Sequence, residues 1–316
     1  MRYLDLKLGY HCNNNCVHCI IVDQRRGALE KRGNETRTYS EIVEKLNIAK
    51  NEGYNTVVFT GGEPTIRKDF ISLLEYASKI GMSISVQSNG RRFSDAEFAK
   101  IASKYIDNVI IALHGDKEEL HDKITQVRGS FKETVEGIKN LGRYNIKVSI
   151  KMVLSKINYQ HMLGTVKLAE KLKCLYINIA FPHANENMLK QYNQLVPTYS
   201  EISQYVIDVV EYVKEFSNIR CEFETLLPCT LDQDIPLEYF ADFKMYKVDT
   251  KLLQLDSDEI KWSEVRKTIK KKMSNCSSCI YNEFCEGTWM EYVKLKGETE
   301  FIPIIEYKGK NNDGKK

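Results

Sequence analysis

The fold of this 316-residue sequence is indicated first by a cysteine-rich segment, Tyr10-His11-Cys12-Asn13-Asn14-Asn15-Cys16-Val17-His18-Cys19. Its three cysteines, Cys12, Cys16 and Cys19, have the spacing C-x3-C-x2-C and follow an apolar run that predicts the first strand. Iron–sulfur clusters usually have four cysteine ligands. Three thiolates can therefore hold three irons of a [4Fe–4S] cube and leave the fourth iron for a different ligand.

The competing interpretation of this segment is a structural zinc site. Zinc binds thiolates and imidazoles in short loops, so His11 or His18 could complete the three cysteines. A second motif favours the cluster, because Thr60-Gly61-Gly62-Glu63-Pro64 follows the apolar run Thr56-Val57-Val58-Phe59. Glycines let backbone carbonyls approach a ligand closely, and a carboxylate accepts hydrogen bonds from an ammonium group.

Together the two motifs closely resemble those of the radical S-adenosylmethionine (radical SAM) superfamily. In that superfamily the open iron binds the amino and carboxylate groups of SAM, and reductive cleavage of SAM releases a 5′-deoxyadenosyl radical. The resemblance implies that Cys12, Cys16 and Cys19 hold this cluster. It also implies that the loop Gly61-Gly62-Glu63-Pro64 binds the methionine amino group of SAM.

Three further segments resemble the superfamily at or near the ends of later strands. Ser88-Asn89-Gly90 resembles its [S/T]-N-G turn, which implies a SAM contact by the first two residues, although a plain turn needs no ligand. Lys151 resembles a strand-five cation near the SAM carboxylate, and a solvated lysine is the alternative. Ala112-Leu113-His114-Gly115 resembles the S-L-D/H-G segment of the superfamily. It departs from that segment at Ala112, because alanine stands where a ribose contact is expected.

Residues 1–217 alternate short apolar runs with amphipathic stretches, which predicts a parallel α/β domain. Strands are predicted at residues 3–8, 56–60, 83–87, 108–113, 147–154 and 175–181. The resemblance implies a partial (β/α)6 TIM-type barrel, whereas the periodicity alone is equally consistent with an open doubly wound sheet. Both architectures bind ligands beyond the carboxyl ends of the strands, which is where the motifs fall.

Four helices are predicted to begin at a capping box of the form S/T-x-x-E. The pairs are Thr38 with Glu41, Ser94 with Glu97, Ser130 with Glu133, and Thr198 with Glu201.

Residues 218–316 predict a small, cysteine-rich C-terminal domain with a basic tail. Cys276-Ser277-Ser278-Cys279 is followed, after five residues, by Cys285. This C-x2-C-x5-C spacing resembles the SPASM and shorter twitch extensions of the superfamily, which hold auxiliary [4Fe–4S] clusters with the help of an upstream cysteine. Cys229 is the favoured fourth ligand and Cys221 the alternative. No cysteine follows Cys285, which limits this domain to one auxiliary cluster; a zinc ribbon is the competing interpretation.

The composition describes an ordinary globular enzyme, with 42% hydrophobic and 28% charged residues. A net charge of +3 is too small to indicate nucleic acid or membrane as a partner. The sequence starts without the apolar core of a secretory signal, and nine cysteines without such a signal indicate reduced thiols and metal binding. We therefore expect a cytoplasmic protein.

The sequence thus predicts a radical SAM enzyme with SAM, a SAM-binding [4Fe–4S] cluster and a second auxiliary [4Fe–4S] cluster as cofactors. The favoured substrate is a ribosomally made peptide, and the alternative reaction is dehydrogenation or cyclisation of a small molecule or nucleotide. A zinc-stabilised binding module is the non-enzymatic alternative. The resemblance implies a reductant such as flavodoxin or ferredoxin, and the start at strand one leaves a peptide substrate with either a separate leader-peptide-binding protein or none. No catalytic side chain is predicted.

Overall fold

The computed structural model describes residues 2–184, 186–231, 235–245, 248–255 and 260–306. The strands of its main sheet are β1 (Arg2–Lys7), β2 (Thr56–Thr60), β3 (Ser83–Ser88), β4 (Asn108–Ala112), β5 (Lys147–Val153), β6 (Tyr176–Ala180), β7 (Arg220–Glu224), β8 (Asp249–Leu253) and β9 (Ile260–Lys261). A separate two-stranded sheet pairs β10 (Lys270–Lys271) with β11 (Thr288–Trp289).

The helices that connect and follow these strands are α1 (Ile21–Arg32), α2 (Tyr39–Asn51), α3 (Phe70–Lys79), α4 (Ala96–Ala102), α5 (Glu118–Thr125), α6 (Ser130–Arg143), α7 (Met162–Lys171), α8 (Glu186–Lys190), α9 (Tyr192–Leu195), α10 (Tyr199–Phe216), α11 (Asp242–Met245), α12 (Trp262–Ile269) and α13 (Met290–Lys296). Within the described part of the chain, every helix is too short or too polar to cross a lipid bilayer.

The main sheet has the strand order β7-β6-β5-β4-β3-β2-β1-β8-β9, and all neighbours are parallel except β8 and β9. The predicted α/β fold is confirmed, and each of the six predicted strands lies within one residue of its expected ends. Three strands from beyond residue 217 lengthen the sheet, since β7 pairs with β6, β8 pairs with β1 and β9 pairs with β8. The division of the chain at residue 217 stays a prediction.

Strand β7 was not predicted because its residues do not form an apolar run. Only Cys221 and Phe223 lie on its buried side, and they alternate with Arg220, Glu222 and Glu224. A strand with one polar face carries half of the apolar signal of a strand buried on both faces, so the sequence alone resembles a surface segment.

The two faces of the sheet differ in chemistry. One face packs against the helices and is formed by fully buried side chains such as Leu6, Phe59 and Ile150. Each buried side chain of this size contributes roughly 1.5–3 kcal/mol to folding. The opposite face, called the open face below, carries polar side chains on successive strands: Asp5, Lys7, Thr60, Gln87, Lys151, Asn178, Glu222 and Glu224.

Two of the four predicted capping boxes are confirmed. Thr38 and Thr198 each accept a hydrogen bond from the backbone N–H of the glutamate three residues on, and the carboxylate of that glutamate accepts one from the threonine backbone N–H. The prediction at Ser94 is wrong, because the Asp95 carboxylate caps α4 by accepting from its second and third N–H groups. At Ser130 it is also wrong, since α6 begins at Ser130 and Asp122 accepts from the N–H of Phe131 in its first turn.

Candidate metal centres

The loop that carries Cys12, Cys16 and Cys19 runs from β1 to α1 and is docked on helix α5. The N–H of Asn15 donates to the carbonyl of Thr125 at 2.9 Å, and the N–H of Val17 donates to the carbonyl of Ile124, also at 2.9 Å. The last carbonyls of a helix have no partner within the helix. The cysteine loop satisfies two of these carbonyls and so gains a fixed position at the carboxyl ends of the strands.

Gly61 and Gly62 are required by the approach of this same loop. The N–H of Gly62 donates to the carbonyl of Gly9 at 2.8 Å, and the N–H of Glu63 donates to the carbonyl of His11 at 2.7 Å. A Cβ atom at Gly61 would lie 2.2 Å from the Gly9 oxygen, and one at Gly62 would lie 2.2 Å from the His11 oxygen. Both glycines therefore make room for the backbone of the cysteine loop. From the sequence alone, this close approach is expected of a ligand.

The Glu63 carboxylate accepts hydrogen bonds from several groups of the protein itself. It is 3% exposed and accepts from the hydroxyl of Thr65 at 2.6 Å, the hydroxyl of Ser88 at 2.9 Å and the N–H of Asn89 at 2.6 Å. Burial raises the pKa of Glu63, although these donors oppose the rise. The expected hydrogen bond from a ligand ammonium to this carboxylate has no support in the geometry. Pro64 opens a short 3₁₀ segment, Pro64–Ile66, and SAM binding by this loop stays a prediction.

The turn after β3 is joined both to Glu63 and to the cysteine loop. The Ser88 hydroxyl also accepts from the N–H of Gly90 at 2.9 Å, so this side chain is fully used within the protein. The Asn89 amide donates to the side chain of Asn13 at 2.7 Å and lies 3.9 Å from the sulfur of Cys12. Burial raises the pKa of the Cys12 thiol to about 11, and the charges of Glu63 and Cys19 add to the rise.

Arg91 is a site residue that the sequence analysis missed. Its guanidinium donates to the carbonyl of Asn13 at 2.5 Å and to the side chain of Asn14 at 2.9 Å, and it pairs with Glu133. The side chain is 14% exposed, so these contacts are largely shielded from water. The only signal in the sequence was an arginine directly after the Ser88-Asn89-Gly90 turn, which is equally typical of a solvated surface.

Three histidines form a cluster at the cysteine loop, which itself contains His18: the rings of His18 and His114 meet edge to face, and those of His114 and His121 are stacked. The rings of His18 and His114 are 4.5 Å apart, and those of His114 and His121 are 5.8 Å apart. Burial lowers the pKa of His18 and of His121 to about 4 and that of His114 well below its usual value, so all three are neutral at pH 7. His114 accepts from the N–H of Val153 at 3.3 Å, which agrees with the interpretation of a satisfied structural histidine.

This cluster of histidines changes which side chains could complete a zinc site at the first cysteine loop. The ligand atoms of Cys16, His18 and His114 lie within 4.8 Å of one another. His11, by contrast, is 61% exposed and pairs with Glu35 at 3.0 Å. A zinc ion in this region would therefore find histidines beside Cys16, and His11 is held away from them.

Lys151 projects from β5 onto the open face and is paired there. Its ammonium group contacts the Asn178 side chain at 2.5 Å and forms a salt bridge with Glu224. The side chain is 31% exposed, so Lys151 is neither fully solvated nor sealed inside the sheet. One partner comes from β6 and the other from the unpredicted strand β7. Its proposed proximity to the SAM carboxylate stays a prediction.

The C-terminal cysteines converge on one small cavity that is partly open to solvent. Cys229, Cys276, Cys279 and Cys285 all line it, together with Leu227, Lys272, Met273, Asn275, Asn282, Phe301 and Pro303. Burial raises the pKa of Cys229 to about 12, and the charges of the other three thiols add to the rise. The alternative ligand, Cys221, is buried on the helix-facing side of β7 and does not line the cavity.

Both cysteine sets suit an iron–sulfur cluster by their chemistry. The first set offers three thiols beside a glycine turn that admits no side chain. The second offers four thiols around a cavity, and two of them accept backbone N–H groups: Cys276 from Met273 and Cys285 from Gly287, each at 3.3 Å. Hydrogen bonds to the ligand sulfurs are among the means by which proteins tune such clusters.

A sequence profile of the Radical SAM superfamily matches residues 6–169, which is more than half of the chain. The chain belongs to the radical SAM superfamily. The prediction of an enzyme of this superfamily is thereby confirmed, and a SAM-binding [4Fe–4S] cluster and SAM are the cofactors of the superfamily. The matched residues contain the first cysteine loop and the glycine turn, whereas the C-terminal cysteines lie outside them.

Curated relatives match about half of the chain. A "Probable GTP 3′,8-cyclase" of Thermococcus kodakarensis is 32% identical over 170 residues, which is 53% of each protein. Mycofactocin maturase MftC of Mycolicibacterium smegmatis is 32% identical over 151 residues, 46% of this chain and 36% of the relative. An AdoMet-dependent heme synthase of Methanosarcina barkeri is 24% identical over 180 residues, 57% of this chain and 50% of the relative. The matches span about half of the length of such relatives.

Solved structures extend the likeness to nearly the whole fold. SuiB of Streptococcus suis bound to S-adenosylmethionine superposes with a TM-score of 0.65 at 18% identity, covering 96% of this chain and 76% of SuiB. Native anSMEcpe with bound AdoMet superposes with a TM-score of 0.62 at 14% identity, covering 91% of this chain and 88% of that protein. At these identities the superpositions establish the fold alone.

Replacing Arg91 should loosen the cysteine loop. The Arg91→Gln substitution removes charge-assisted hydrogen bonds to Asn13 and Asn14, each worth roughly 1.5–3 kcal/mol. We expect a lower free energy of unfolding, by about 2 kcal/mol, together with faster loss of iron from the reconstituted protein to a chelator. Arg92→Gln is the matched control, because Arg92 is exposed and neither its 3.9 Å ion pair with Asp95 nor its cation–π contact with Phe98 involves the cysteine loop. Equal iron loss from the two variants would contradict this role of Arg91.

Proposed function

We propose that this protein cleaves SAM reductively at the first cysteine loop and abstracts a hydrogen atom from its substrate. The supporting observation is the position of that loop, which stands at the carboxyl ends of the parallel strands, where α/β enzymes bind their ligands. When bound there, the cluster and SAM supply a 5′-deoxyadenosyl radical, which is chemistry that protein side chains do not offer.

The residues of this chain have holding and orienting roles in this proposal. Cys12, Cys16 and Cys19 hold the SAM-binding cluster. Asn89 and Arg91 keep the loop between these cysteines in place through their contacts with Asn13 and Asn14. This arrangement leaves the open face as the surface on which SAM and substrate lie, and its charged groups are available to orient them.

Lys151 is the cation of the open face that we assign to an anionic group of SAM or substrate. Its ammonium group is held by Asn178 and Glu224, and the glutamate balances its charge. An incoming carboxylate could take the place of Glu224, which would then face the solvent or a substrate cation. Gly61, Gly62 and the other residues of that loop offer only backbone groups, because the Glu63 carboxylate is already satisfied.

We further propose that Cys229, Cys276, Cys279 and Cys285 hold an auxiliary [4Fe–4S] cluster. Four thiols lining a single cavity support this assignment, and the absence of Cys221 from the lining favours Cys229 as the fourth ligand. Four protein ligands leave no open iron for substrate. The proposed role of this centre is therefore to accept an electron.

The favoured substrate is a ribosomally made peptide. The relatives that support it are MftC, named a mycofactocin maturase, and SuiB, whose structure has been solved with the precursor peptide SuiA. The alternative, a nucleotide or other small molecule, is supported by the relative named a probable GTP 3′,8-cyclase. The proposed partners are a reductant such as flavodoxin or ferredoxin and, for a peptide substrate, either a separate leader-peptide-binding protein or none.

The first test is SAM cleavage. After anaerobic reconstitution with iron and sulfide, the protein with SAM and dithionite should form 5′-deoxyadenosine, and Cys16→Ala should form none because the cluster has lost a ligand. The measurement is the nucleoside product per chain by liquid chromatography. A protein that contains zinc in place of iron, shows no SAM affinity and forms no product would refute the enzymatic proposal.

The second test assigns iron to the two cysteine sets. The reconstituted parent should contain about eight irons per chain, two cubes' worth, and Cys276→Ala should lose about four of them while still binding SAM. Cys229→Ala should behave like Cys276→Ala, whereas Cys221→Ala is the matched control and should keep all of its iron. Loss of SAM binding from Cys276→Ala would contradict the division of labour between the two sites.

The third test separates the two substrate classes by the origin of the abstracted hydrogen. Peptides prepared from cells grown on deuterated amino acids should give 5′-deoxyadenosine that is heavier by one deuterium if a peptide is the substrate. GTP, added alone, should neither stimulate cleavage nor be consumed. Cyclised nucleotide formed from GTP, with unlabelled 5′-deoxyadenosine from the peptide fraction, would replace the peptide proposal with the alternative.

A further inference from the structure

Three consecutive lysines, the two of β10 and Lys272 directly after it, have different surroundings near the C-terminal cysteine cavity. Lys270 is 2% exposed and is neutralised by a salt bridge with the equally buried Asp242. Lys271 is 53% exposed, and its ammonium group lies 3.7 Å from Glu298. Lys272 lines the cavity itself.

The charge of Lys272 is not balanced by a carboxylate. Its ammonium group donates to the backbone carbonyl of Asn282 and, at 3.1 Å, to the side-chain oxygen of the same residue. Both acceptors are neutral, and within the described chain no acidic group lies within ion-pair distance of Lys272. Among the residues that line the cavity, it is the only one apart from the cysteines that carries or can carry a charge.

Asn282 also fixes where this charge is held. It lies in the turn between Cys279 and Cys285, whose backbone is closed by a hydrogen bond from the N–H of Asn282 to the carbonyl of Cys279 at 3.0 Å. By donating to Asn282, the lysine ammonium is tied to the rim of the ligand turn. A flexible side chain that would otherwise extend into solvent is thus held at the cavity mouth.

A positive charge held at the mouth of this cavity stabilises a bound cluster more strongly when that cluster is more negative. A [4Fe–4S] cluster with four thiolate ligands has a net negative charge and becomes more negative by one unit on reduction, and its potential depends on the charge around it. The attraction between the cation and the cluster increases as that negative charge grows. We propose that Lys272 raises the reduction potential of the auxiliary centre and so favours its acceptance of an electron; this inference rests on the auxiliary cluster proposed above.

The test isolates the auxiliary centre in the full-length chain. Replacing Cys12, Cys16 and Cys19 together by alanine removes the first cluster, and the reconstituted protein should then hold about four irons. A redox titration followed by electron paramagnetic resonance gives the midpoint potential. We expect Lys272→Gln to lower the midpoint by about 59 mV, a tenfold change in the one-electron equilibrium constant.

Two controls separate charge from packing. Lys272→Arg keeps the charge and should retain the parent midpoint, and Lys271→Gln removes a neighbouring, already compensated charge and should change it little. Because Lys272 is exposed, the difference between parent and Lys272→Gln should shrink as salt is added. A purely structural role of the lysine would show no such dependence on salt.

A failure of the auxiliary-cluster proposal and a failure of the role of Lys272 give different results. If the triple-alanine protein binds no iron, the auxiliary cluster itself is wrong. If it binds about four irons and Lys272→Gln has the parent midpoint, the cluster stands and the role of Lys272 is refuted. Should Lys272→Gln lose its iron, Lys272→Met decides instead, because it removes the charge and keeps an unbranched side chain: a lowered midpoint supports the proposal, and the parent midpoint overturns it.

Discussion

The buried Glu63 is the residue on which the geometry of the first site depends. Its backbone N–H donates to the carbonyl of His11 in the cysteine loop, while its carboxylate accepts from Thr65, Ser88 and Asn89. Glu63, which lies in the loop after β2, therefore joins the loops that follow β1 and β3. A buried carboxylate is costly unless it is fully hydrogen-bonded, and here its donors are Thr65 in the same loop and Ser88 and Asn89 in the turn after β3. Removing the donors of the β3 turn would leave part of that cost uncompensated.

Close backbone contact makes the same junction rigid. The cysteine loop passes so near the glycine turn that a single Cβ atom on either glycine would overlap a carbonyl oxygen. Arg91 then holds the asparagines between Cys12 and Cys16, and the end of α5 accepts two N–H groups from the far side of the loop. A metal-binding loop anchored on several sides loses little conformational entropy when a cluster binds, which is consistent with a site that is formed before its cofactor arrives.

The second cysteine set is connected to the sheet by aromatic packing. The rings of Phe181, just after β6, and Tyr199 are stacked at 4.3 Å, and Tyr199 in turn contacts Phe301, which lines the cysteine cavity. The indole N–H of Trp289 donates to the carbonyl of Phe181 at 3.2 Å. Strands β7 and β8 extend the parallel sheet on opposite edges from the same part of the chain. The second cysteine set is therefore packed against the main hydrophobic core of the sheet.

The amino-acid sequence by itself determined the six regular strands, the two cysteine sets, the glycine turn and two of the four capping boxes. These are local features, because periodicity, cysteine spacing and cap chemistry depend on neighbours a few residues away. Only the tertiary structure decided how distant groups meet. It brings Glu63 to Ser88 and Arg91 to the cysteine loop, and it places Cys229 and not Cys221 at the cavity. It also gives Lys270 and Lys271 carboxylate partners, whereas Lys272 has none among the described residues. The physical reason is that hydrogen bonding, burial and charge compensation depend on partners far apart in the chain, whose approach is set by the packing of the whole sheet.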